Sequence, residues 1–546
     1  MNVQDIEIPF DKDRGRAYRF FEILPGLLSL TVFLVPILLS IFYVTAAAFF
    51  IIIYILILLF RASAMSLRVI EGYGNIKKAR KVDWEALLMD FYHPEQAEQR
   101  LTGLKPVNSL VQSHVRNIKR LVAGNKIDML PDEVVQVVII ATYNESQDII
   151  HPTIQYVIDS SGFSDRKTAL FIAYEQRGSE QKKLDTANTL DKYRDKFFYA
   201  EAIEHTLVPG EIPGKGANAT YCGRRVAAWA AEQGIDPSRV LVTVLDADNR
   251  PDKNFFSILT YVYISADNRK QKSYQPVALY NNNIWDVPAI MRLCAISNTY
   301  FHLGNSMRLH ALRNFSAHSQ SLDALIDTDY WSVRTIVEDG HQFWRTYFRY
   351  DGDHQVLPIY APIYQDAVFA GGLLKTTKAQ FKQIRRWTYG ASDVSYVATR
   401  AFFMKNKLPK IDALLKFGRL LESHVGWATS APLLLLSGWV PLVLNSNARH
   451  DIVAQRLPQI VSNINTVALL ALLFVVYVGL VTLPKRPAHH GRTRAFGFVW
   501  QWLLTPVVGV VFNSTAAINS QAHLAFKRYI GVFDVTDKAT RSTTKR

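Results

Sequence analysis

The stretch "VLVTVLDADNRPD", residues 240–252, decides the class of fold. It begins with a continuous run of Val, Leu and Thr, which is typical of a strand buried on both faces of a parallel sheet. Two carboxylates, Asp246 and Asp248, stand two residues apart at the end of that run. Ligands of open α/β sheets bind beyond the carboxyl ends of the strands, so the sequence predicts a site at this pair.

Strand and helix patterns alternate around this stretch. The other strand-like runs are "VVQVVIIATYNES" (134–146), "TALFIAYEQ" (168–176) and "YQPVALYNN" (274–282). The helix-like runs are "DIIHPTIQYVIDS" (148–160), "SEQKKLDTANTLDKYRDK" (179–196), "GKGANATYCGRRVAAWAAEQG" (214–234) and "NFFSILTYVYISAD" (254–267). This alternation predicts an α/β domain with a mostly parallel, doubly wound sheet.

Long uncharged stretches flank this domain and predict membrane spans. Residues 23–60 carry no charge, which suits a helical hairpin that turns near residues 40–45, because one crossing needs about 20 apolar residues. Two further uncharged stretches, 426–444 and 457–483, are each long enough to cross once. The sequence thus predicts about four transmembrane helices.

Two segments near the carboxyl end are predicted to lie at the membrane surface. The string "KIDALLKFGRLLES" (410–423) has its apolar residues on one helical face, which indicates an interfacial helix, although a core-facing helix explains the spacing about as well. The apolar run of residues 496–526 contains Gln501 and Thr505 and breaks at Asn513. We expect a re-entrant or surface helix there rather than a fifth span.

Basic residues accumulate on one side of all four predicted spans, and such residues favour the cytoplasmic side. The chain is therefore predicted to be an integral, multi-pass protein of the plasma (inner) membrane with its α/β domain in the cytoplasm. These basic flanks account for much of the net charge of +15, and they are expected to be attracted to anionic membrane lipid. Nucleic acid is therefore not an expected partner. The two cysteines fit a reducing compartment and predict neither a disulfide framework nor a metal cluster.

The predicted organisation follows from these patterns. It consists of a cytoplasmic N-terminal segment (1–21), a transmembrane hairpin (22–61), a linking segment (62–131), the α/β domain (132–400), an interfacial helix (401–424), two transmembrane helices (425–483) and a C-terminal segment with an interfacial or re-entrant helix (484–546).

The Asp246–Asp248 pair suits a divalent cation, because Mg²⁺ and Mn²⁺ take oxygen ligands and often bridge substrate phosphates. An Asp-rich turn at a strand end explains the pair without any ligand.

The string "GKGAN" places Lys215 at the start of a helix, which is an arrangement suited to phosphate. A glycine-rich turn also exists without a ligand.

The string "TIVEDGHQFW" contains the adjacent acids Glu338 and Asp339. In an extended segment they point opposite ways, so we expect only one to face a site, where it would act as a general base. An ordinary solvated acidic pair is an equal alternative.

In "KQIRRWTYG", Gln383, Arg386 and Trp387 share one helical face that could hold a pyrophosphate and a sugar ring. A helix that lies at a membrane surface has the same composition, so that alternative stays open.

The ordered strings "TYNES", "GKG", "LDADN", "VEDG", "QIRRW" and "FDVTDK" (533–538) resemble the membrane-embedded family 2 glycosyltransferases, the group that contains cellulose and hyaluronan synthases. The resemblance covers most of the chain, including the hairpin before the α/β domain and the helices after it. Each motif is weak alone, whereas six in this order with spans in the right places are specific together. The resemblance implies a GT-A (Rossmann-like) fold on the cytoplasmic side, a Mg²⁺ or Mn²⁺ cofactor, and inverting transfer from a nucleotide sugar, with a UDP-sugar favoured.

The resemblance also implies roles for individual residues. Asp246 would contact the nucleotide sugar, Asp248 would bind the metal, and Lys215 would approach the donor. The nucleotide pocket would be lined by Thr142, Tyr143 and Glu145.

Further along the chain, Asp339 would be the general base. The Q-x-x-R-W motif, which holds the diphosphate and the acceptor end, would be Gln383, Arg386 and Trp387. The F-x-V-T-x-K gating loop, which closes over the donor, would be Phe533, Val535, Thr536 and Lys538.

Two departures from the family pattern bear on the substrate. The string "AYEQRGS" stands where the family has D-D-G or D-D-x-S, so Glu175 would replace the first aspartate and the nucleotide preference stays open. Val337 occupies the position of a usual Thr. Asn281, Asn282, Asn283 and Trp285 could help to choose the sugar, although a polar turn after a strand explains them too.

Processive synthesis of a polysaccharide is the favoured function, because the Q-x-x-R-W and gating motifs are shared with processive members of the family. Four spans are few for a secretion channel, which keeps transfer to a lipid acceptor as the alternative. A non-catalytic membrane scaffold that retains a nucleotide-sugar-binding domain is an alternative from another class. A phosphatase fits less well, because the residues after Asp248 do not suit a nucleophilic aspartate.

Overall fold

The computed structural model describes residues 6–103, 108–124, 128–160, 167–491 and 494–531. The chain divides into two compact units. The first unit consists of Met1–Ile8, Gly72–Tyr280 and Asn305–Asp366. The second unit consists of Pro9–Glu71, Asn281–Gly304 and Ala367–Arg546.

The first unit is built on an eight-stranded sheet. The strands are β1 (Val135–Thr142), β2 (Thr168–Glu175), β3 (Tyr199–His205), β4 (Val240–Asp246), β5 (Arg250–Pro251), β6 (Lys272–Leu279), β7 (Ser319–Ser321) and β8 (Gln355–Tyr364), in the spatial order β3-β2-β1-β4-β7-β6-β8-β5. Strands β1 to β4 pair in parallel, as do β6 and β8. Only the short β5 and β7 run in the opposite direction, each pairing antiparallel with its neighbours. The sheet is therefore mixed, with six of its eight strands pointing the same way, as the alternating pattern predicted.

The helices of the two units are, in chain order, α1 (Arg16–Phe42), α2 (Val44–Ala79), α3 (Trp84–Met89), α4 (Pro94–Leu101), α5 (Ser109–Gly124), α6 (Gln147–Asp159), α7 (Glu180–Tyr193), α8 (Lys215–Glu232), α9 (Phe255–Ser265), α10 (Ala289–Ser306), α11 (Leu322–Asp327), α12 (Glu338–Arg349), α13 (Leu373–Thr388), α14 (Asp393–Ala398), α15 (Lys410–Leu436), α16 (Val440–Leu444), α17 (Ile452–Val481), α18 (Arg494–Trp500), α19 (Thr505–Val507) and α20 (Thr515–Ala525).

Helices cover both faces of the sheet. Successive side chains of a strand point to opposite faces, and the central strand β1 is buried on both. Ile140 packs in a cluster with Ile154 of α6, whereas its neighbour Ile139 packs in another with Trp229 of α8. All four side chains are essentially inaccessible to water. The predicted doubly wound arrangement is thus present, and it leaves the ends of the strands as the place where polar side chains can gather.

A buried ion pair fixes the position of α12 in the first unit. Arg345 of α12 is 1% exposed and donates to Glu7 at 2.7 Å. Burial alone would raise the pKa of Glu7, but Arg345 and a hydrogen bond from Ser332 lower it below its usual value. The carboxylate therefore stays charged and joins the start of the chain to the helix that carries Glu338 and Asp339.

Among the described residues, four helical segments are long and apolar enough to cross a membrane by length and composition. They are Arg16–Phe42, Val44–Ala79, Lys410–Leu444 and Gly497–Ala525. The first two are separated at Tyr43, which agrees with the predicted hairpin turn near residues 40–45. The predicted span at 457–483 coincides with most of α17, a helix of 30 residues that is also long enough to cross.

Both segments predicted to lie at the membrane surface belong to long helical segments, and their surface position stays a prediction. Helix α15 runs unbroken from the amphipathic string into the uncharged one, because the polar residues 422–424 between them do not stop a helix. Residues 497–525, expected to be re-entrant, form a helical segment with a π-helical turn at Val508–Ser514 and meet the requirements of a span. The sequence pattern breaks at Asn513, whereas the helical segment continues through this residue.

A buried carboxylate ties α1 to the chain that follows α20 within the second unit. Glu22 is 2% exposed and accepts hydrogen bonds from Arg14 at 3.1 Å and Arg19 at 2.7 Å. The Tyr529 hydroxyl donates to the same carboxylate at 2.9 Å, and Arg19 also donates to the carbonyl of Leu524. The segment just before the "FDVTDK" string is therefore anchored to the first helix.

Candidate active site

The carboxyl end of β4 carries a compact group of charged and polar side chains in the first unit. Asp246 is the last residue of β4 and Lys215 is the first residue of α8. The Lys215 ammonium lies 2.7 Å from Asp246 Oδ1, and the Ser316 hydroxyl donates to Asp246 Oδ2. The "DAD" and "GKG" strings, which are separate in the sequence, therefore meet at one point.

Three carboxylates act on the Lys215 ammonium. Burial would lower the pKa of Lys215, but the charges of Asp246, Glu338 and Asp339 raise it above its usual value. The ammonium is only 10% exposed and keeps its charge throughout the physiological range. The candidate site therefore combines one fixed positive charge with several negative ones.

Glu338 and Asp339 do not lie in an extended segment, as the sequence analysis expected. They are the first two residues of α12, where acidic side chains are favoured by the helix dipole. On a helix, successive residues are about 100° apart rather than opposite, so both charges can act on one neighbour, as both do on Lys215. Glu338 is buried, whereas Asp339 is partly exposed and its Oδ1 accepts from the Gly340 N–H at 2.7 Å.

A glycine lets the starts of α8 and α12 approach each other. A Cβ atom on Gly216 would lie 2.5 Å from the Ser332 carbonyl oxygen and 2.9 Å from Glu338 Cβ. Real Cβ atoms do not come so close to other atoms, so any larger residue would push the two elements apart. The second glycine of "GKG" is thus required by packing, whether or not the helix start binds a ligand.

The turn after β4 is held by Asn249, which the sequence analysis did not single out. The Asp246 N–H donates to Asn249 Oδ1, and the Asn249 N–H donates to the Asp246 carbonyl at 3.0 Å. Asp248 is 4% exposed and its Oδ2 accepts from the Asp366 N–H at 3.1 Å. Asp246 is paired to Lys215, so Asp248 is the carboxylate of the two that could hold a divalent cation.

Ser316 belongs to a turn with an uncommon backbone conformation. The next residue, Ala317, has a φ of +69°, a region that side chains other than glycine rarely adopt. His318 holds the turn, because its Nδ1 donates to the Phe315 carbonyl at 2.9 Å and its Nε2 accepts from Trp331 at 3.0 Å. Burial lowers the pKa of His318 to about 4, which keeps the imidazole neutral and this tautomer in place.

Asn218 of α8 joins the ends of β1 and β2. Its amide donates to the Thr142 carbonyl at 3.4 Å and to the Ala173 carbonyl at 3.0 Å. The Thr142 hydroxyl also donates to Ala173. Thr142, a predicted nucleotide-pocket residue, is therefore buried and fixed at the strand end, and the "GKGAN" asparagine takes a positioning role that the sequence did not reveal.

Tyr143 and Glu145 form a tight turn after β1. The Tyr143 N–H donates to Glu145 Oε2 at 2.7 Å, and Lys182 of α7 donates to the Glu145 carbonyl at 2.9 Å. Burial lowers the pKa of Lys182, while Glu145 and Asp185 act in the opposite direction. Both predicted pocket residues thus lie on a turn that is braced from the neighbouring helix.

Glu175, at the end of β2, is paired with a residue that the sequence analysis missed. Arg177 Nε donates to Glu175 Oε2 at 2.8 Å, and the Arg177 guanidinium lies 5.2 Å from the centre of the Tyr143 ring. Glu175 itself is 5% exposed. The "YEQRG" string, which departs from the family pattern, thus places a carboxylate and a guanidinium side by side at the end of β2. The guanidinium also lies near the Tyr143 ring.

The Q-x-x-R-W residues lie in the second unit. Gln383, Arg386 and Trp387 are on helix α13, as predicted, and all three are partly exposed. Gln383 accepts a hydrogen bond from Gln380 at 3.1 Å. Their predicted part in binding diphosphate and acceptor stays a prediction. Phe533, Val535, Thr536 and Lys538 of the gating motif lie outside the described residues.

The polar turn after β6 makes structural hydrogen bonds within the second unit. Asn281 donates to the Thr482 carbonyl and Trp285 to the Pro484 carbonyl, each at 3.0 Å. Asn283 exchanges two hydrogen bonds of 2.8 Å with the backbone of Ala367. These contacts account for three of the four residues that could have helped to choose the sugar.

No family model matches this sequence, and no curated protein matches it. Among solved structures, the chain is similar to the mannosyltransferase PcManGT from Pyrobaculum calidifontis in complex with GDP-Man and Mn²⁺, at 13% identity and a TM-score of 0.38, over 81% of this chain and 98% of that one. It is also similar to residues 1–349 of S. aureus TarS, at 14% identity and a TM-score of 0.33, over 61% of this chain and 90% of that one. The same fragment in complex with UDP gives 11% identity and a TM-score of 0.32, over the same shares.

Proposed function

We propose that this protein is a membrane-embedded, inverting glycosyltransferase of the GT-A type that moves a sugar from a nucleotide-sugar donor to an acceptor hydroxyl. The observation that carries the proposal is the ion pair between Lys215 and Asp246, with Glu338 and Asp339 acting on the same ammonium. A buried cation and several carboxylates at the carboxyl end of a parallel strand suit a substrate that contains both phosphates and hydroxyl groups.

Asp339 acts as the general base in this proposal. Its carboxylate takes the proton of the acceptor hydroxyl, whose oxygen attacks the anomeric carbon of the donor. The bond between that carbon and the diphosphate oxygen breaks, and the nucleoside diphosphate leaves with the bonding electron pair. Asp339 is more exposed than Glu338, which favours it as the residue that meets the acceptor.

Lys215 and Arg386 are the basic residues proposed to meet the diphosphate. The raised pKa of Lys215 supports a charged ammonium at every working pH. Arg386 and Gln383 are assigned to the diphosphate only because they match the Q-x-x-R-W motif. By the same match, Trp387 would stack on the acceptor sugar.

Asp248 is the proposed ligand of a divalent cation, Mg²⁺ or Mn²⁺. The oxygen chemistry of its buried carboxylate and the neutralisation of Asp246 by Lys215 fit this role. A bound cation would supply positive charge for the departing diphosphate. The Asp366 N–H donates to the Asp248 carboxylate at 3.1 Å and so helps to orient it.

The base of the donor is proposed to lie among Thr142, Tyr143, Glu145 and Glu175. Arg177 belongs to the same pocket, because it pairs with Glu175 and lies over the Tyr143 ring. The Glu175 carboxylate offers acceptor oxygens and the Arg177 guanidinium offers N–H donors, so together they can form hydrogen bonds with the edge of a base. A UDP-sugar remains the favoured donor.

A growing polysaccharide is the favoured acceptor, with Phe533, Val535, Thr536 and Lys538 as a gate over the donor. The chain is proposed to be a multi-pass protein of the plasma (inner) membrane whose catalytic unit lies in the cytoplasm. A lipid acceptor is the second candidate, because the four spans predicted from the sequence are few for a secretion channel. Product analysis separates the two: a ladder of long chains against one organic-soluble glycolipid.

The test is the release of nucleoside diphosphate by the full chain in lipid nanodiscs, across a panel of UDP- and GDP-sugars with Mn²⁺ or Mg²⁺. Asp339→Asn is the test variant, and Asp195→Asn, which changes an exposed acid, is its control. Release from one donor that is lost in Asp339→Asn and kept in Asp195→Asn supports the proposal. No release from any donor, with candidate acceptors supplied, favours the non-catalytic scaffold.

A further inference from the structure

We infer that Asp286, His489 and His490 form a metal site of the zinc type in the second unit, built from residues other than those of the candidate active site. Asp286 follows the polar turn after β6, and the two histidines lie between α17 and α18. One ligand atom from each of the three lies within 4.8 Å of the others. The sequence analysis predicted no metal cluster from the two cysteines, and it could not see this group because Asp286 lies about 200 residues before the adjacent His489 and His490.

The distances among the three side chains match a single tetrahedral ion. His490 Nε2 lies 2.9 Å and His489 Nε2 lies 3.4 Å from the same oxygen, Asp286 Oδ1. Zinc binds such atoms at about 2.0–2.1 Å, which places neighbouring ligands of a tetrahedral site about 3.3 Å apart. The remaining pair of ligand atoms, on His489 and His490, lies within 4.8 Å, so all three atoms are close to the spacing that one ion requires.

The chemistry of the ligands selects the class of cation. Two imidazoles and one carboxylate suit Zn²⁺, whereas Mg²⁺ and Mn²⁺ prefer sites made of oxygen atoms. Three protein ligands leave a fourth position for water or another group. The exposure of the ligands agrees with this arrangement, because the His490 side chain is 4% exposed and that of His489 is 53% exposed.

The surrounding contacts hold the ligands in place. Trp285 lies nearly parallel to the His490 ring, with centres 6.5 Å apart, and it also packs against Phe498. The Arg486 guanidinium donates to the His490 carbonyl, while Trp285 donates to the Pro484 carbonyl. Such supporting contacts orient metal ligands and reduce the cost of gathering them.

A metal ion would connect the loop after α17 to the segment before α10. Hydrogen bonds from Asn281 and Trp285 already join these two stretches at Thr482 and Pro484. A cation adds a third connection at Asp286, and any ligand that binds only the folded state raises its stability. The inferred role is therefore to fasten this loop, which connects two long apolar helical segments.

The test uses the full chain without a polyhistidine tag, in nanodiscs, freed of metal by a chelator and dialysed against Zn²⁺. Wild type is compared with Asp286→Asn, His489→Ala and His490→Ala, and with His450→Ala as a control at an exposed histidine of the same unit. Bound zinc is measured by elemental analysis, and Co²⁺ is added as a spectroscopic probe of tetrahedral coordination. Thermal unfolding is followed with and without Zn²⁺.

We expect one zinc per chain in wild type and in His450→Ala, a tetrahedral Co²⁺ spectrum, and a higher unfolding temperature with Zn²⁺. Each ligand variant should bind zinc at least tenfold more weakly and lose the thermal shift. His489→Ala keeps this comparison informative if His490→Ala fails to fold, because His489 is largely exposed. Wild-type binding no stronger than that of the three ligand variants would overturn the inference and leave two histidines that donate hydrogen bonds to Asp286.

Discussion

Lys215, the first residue of α8, forms an ion pair of 2.7 Å with Asp246, the last residue of β4. This contact brings the "GKG" and "LDADN" motifs of the sequence to the same point in space. It also separates the roles of the two aspartates, because Asp246 is already neutralised while Asp248 is oriented by a backbone N–H.

Replacing Lys215 by Met should reduce turnover by about 10²–10³, because a preorganised positive charge near the leaving group is removed. Lys196→Met, at an exposed lysine, should leave the rate unchanged. Because the pKa of Lys215 is raised above its usual value, this residue stays protonated, and its deprotonation should not reduce the rate at any pH below about 10. Steady-state release of nucleoside diphosphate checks both statements, and a rate insensitive to Lys215→Met would contradict the first.

Asp339→Asn and Glu338→Gln form a matched pair at the start of α12. Loss of the general base should lower kcat by about 10²–10⁴ in Asp339→Asn while donor affinity stays close to that of wild type. Glu338→Gln should retain more activity, because the Glu338 side chain is buried. Single-turnover kinetics with separate donor titration distinguish the two variants, and the reverse order of their rates would transfer the role to Glu338.

Gly216→Ala should destabilise the protein by about 1–3 kcal/mol, because the new Cβ would lie 2.5 Å from the Ser332 carbonyl oxygen. Gly340→Ala is the control in α12, where a Cβ would meet nothing within 4 Å. That substitution should be neutral or stabilising by up to about 1 kcal/mol. Thermal unfolding in detergent measures both, and equal stabilities would show that α8 and α12 can separate at little cost.

Arg177→Ala should raise KM for the preferred donor about tenfold with little change in kcat, because contacts to the base stabilise ground and transition states alike. Arg194→Ala changes an exposed arginine nearby in sequence and serves as the control. The donor panel is repeated for both variants. A fall in kcat at constant KM would remove Arg177 from the base pocket.

Stability should decrease as the pH falls from about 6.5 toward 4, in part because of His318. Its pKa is lowered to about 4 in the folded state, so the unfolded chain binds more protons in this window and gains stability relative to the folded one. The contribution lost at pH 5 is about 2 kcal/mol for a shift of this size.

His318→Gln cannot take up this proton, so its unfolding temperature should change less between pH 7 and pH 5 than that of wild type. His302 also has a pKa lowered to about 4 by burial, and the difference between wild type and His318→Gln isolates one residue of the two. Identical pH dependences in the two proteins would contradict the buried, neutral state of His318.

Strands β3 and β8 were not predicted, but local patterns were sufficient to predict the parallel strands β1, β2, β4 and β6, the helix that carries Gln383 and Arg386, and the position of Asp246 at a strand end. Each of these depends on a periodicity or a run that is visible within about 15 residues. The start of α12 was misjudged because "TIVEDGHQFW" has no helical repeat before Glu338. Strand β7 escaped notice because its three polar residues match no strand pattern.

The supporting residues of the site could not be predicted in the same way. Ser316 contacts Asp246 from 70 positions away, and Asn218 joins two strand ends that only the sheet brings together. Arg177 is close to Glu175 in sequence, but its position over Tyr143 depends on the pairing of β1 with β2. Long-range contacts of ordinary polar residues leave no local signal.

The most direct test of the central claim is Mn²⁺ binding, followed by electron paramagnetic resonance of the free ion, with UDP or GDP present. Wild type and Asp286→Asn should bind one nucleotide-dependent Mn²⁺, and Asp248→Asn should lose it. Binding by Asp248→Asn as strong as that of wild type, or no nucleotide-dependent binding by wild type, would contradict a nucleotide-sugar site at the carboxyl end of β4.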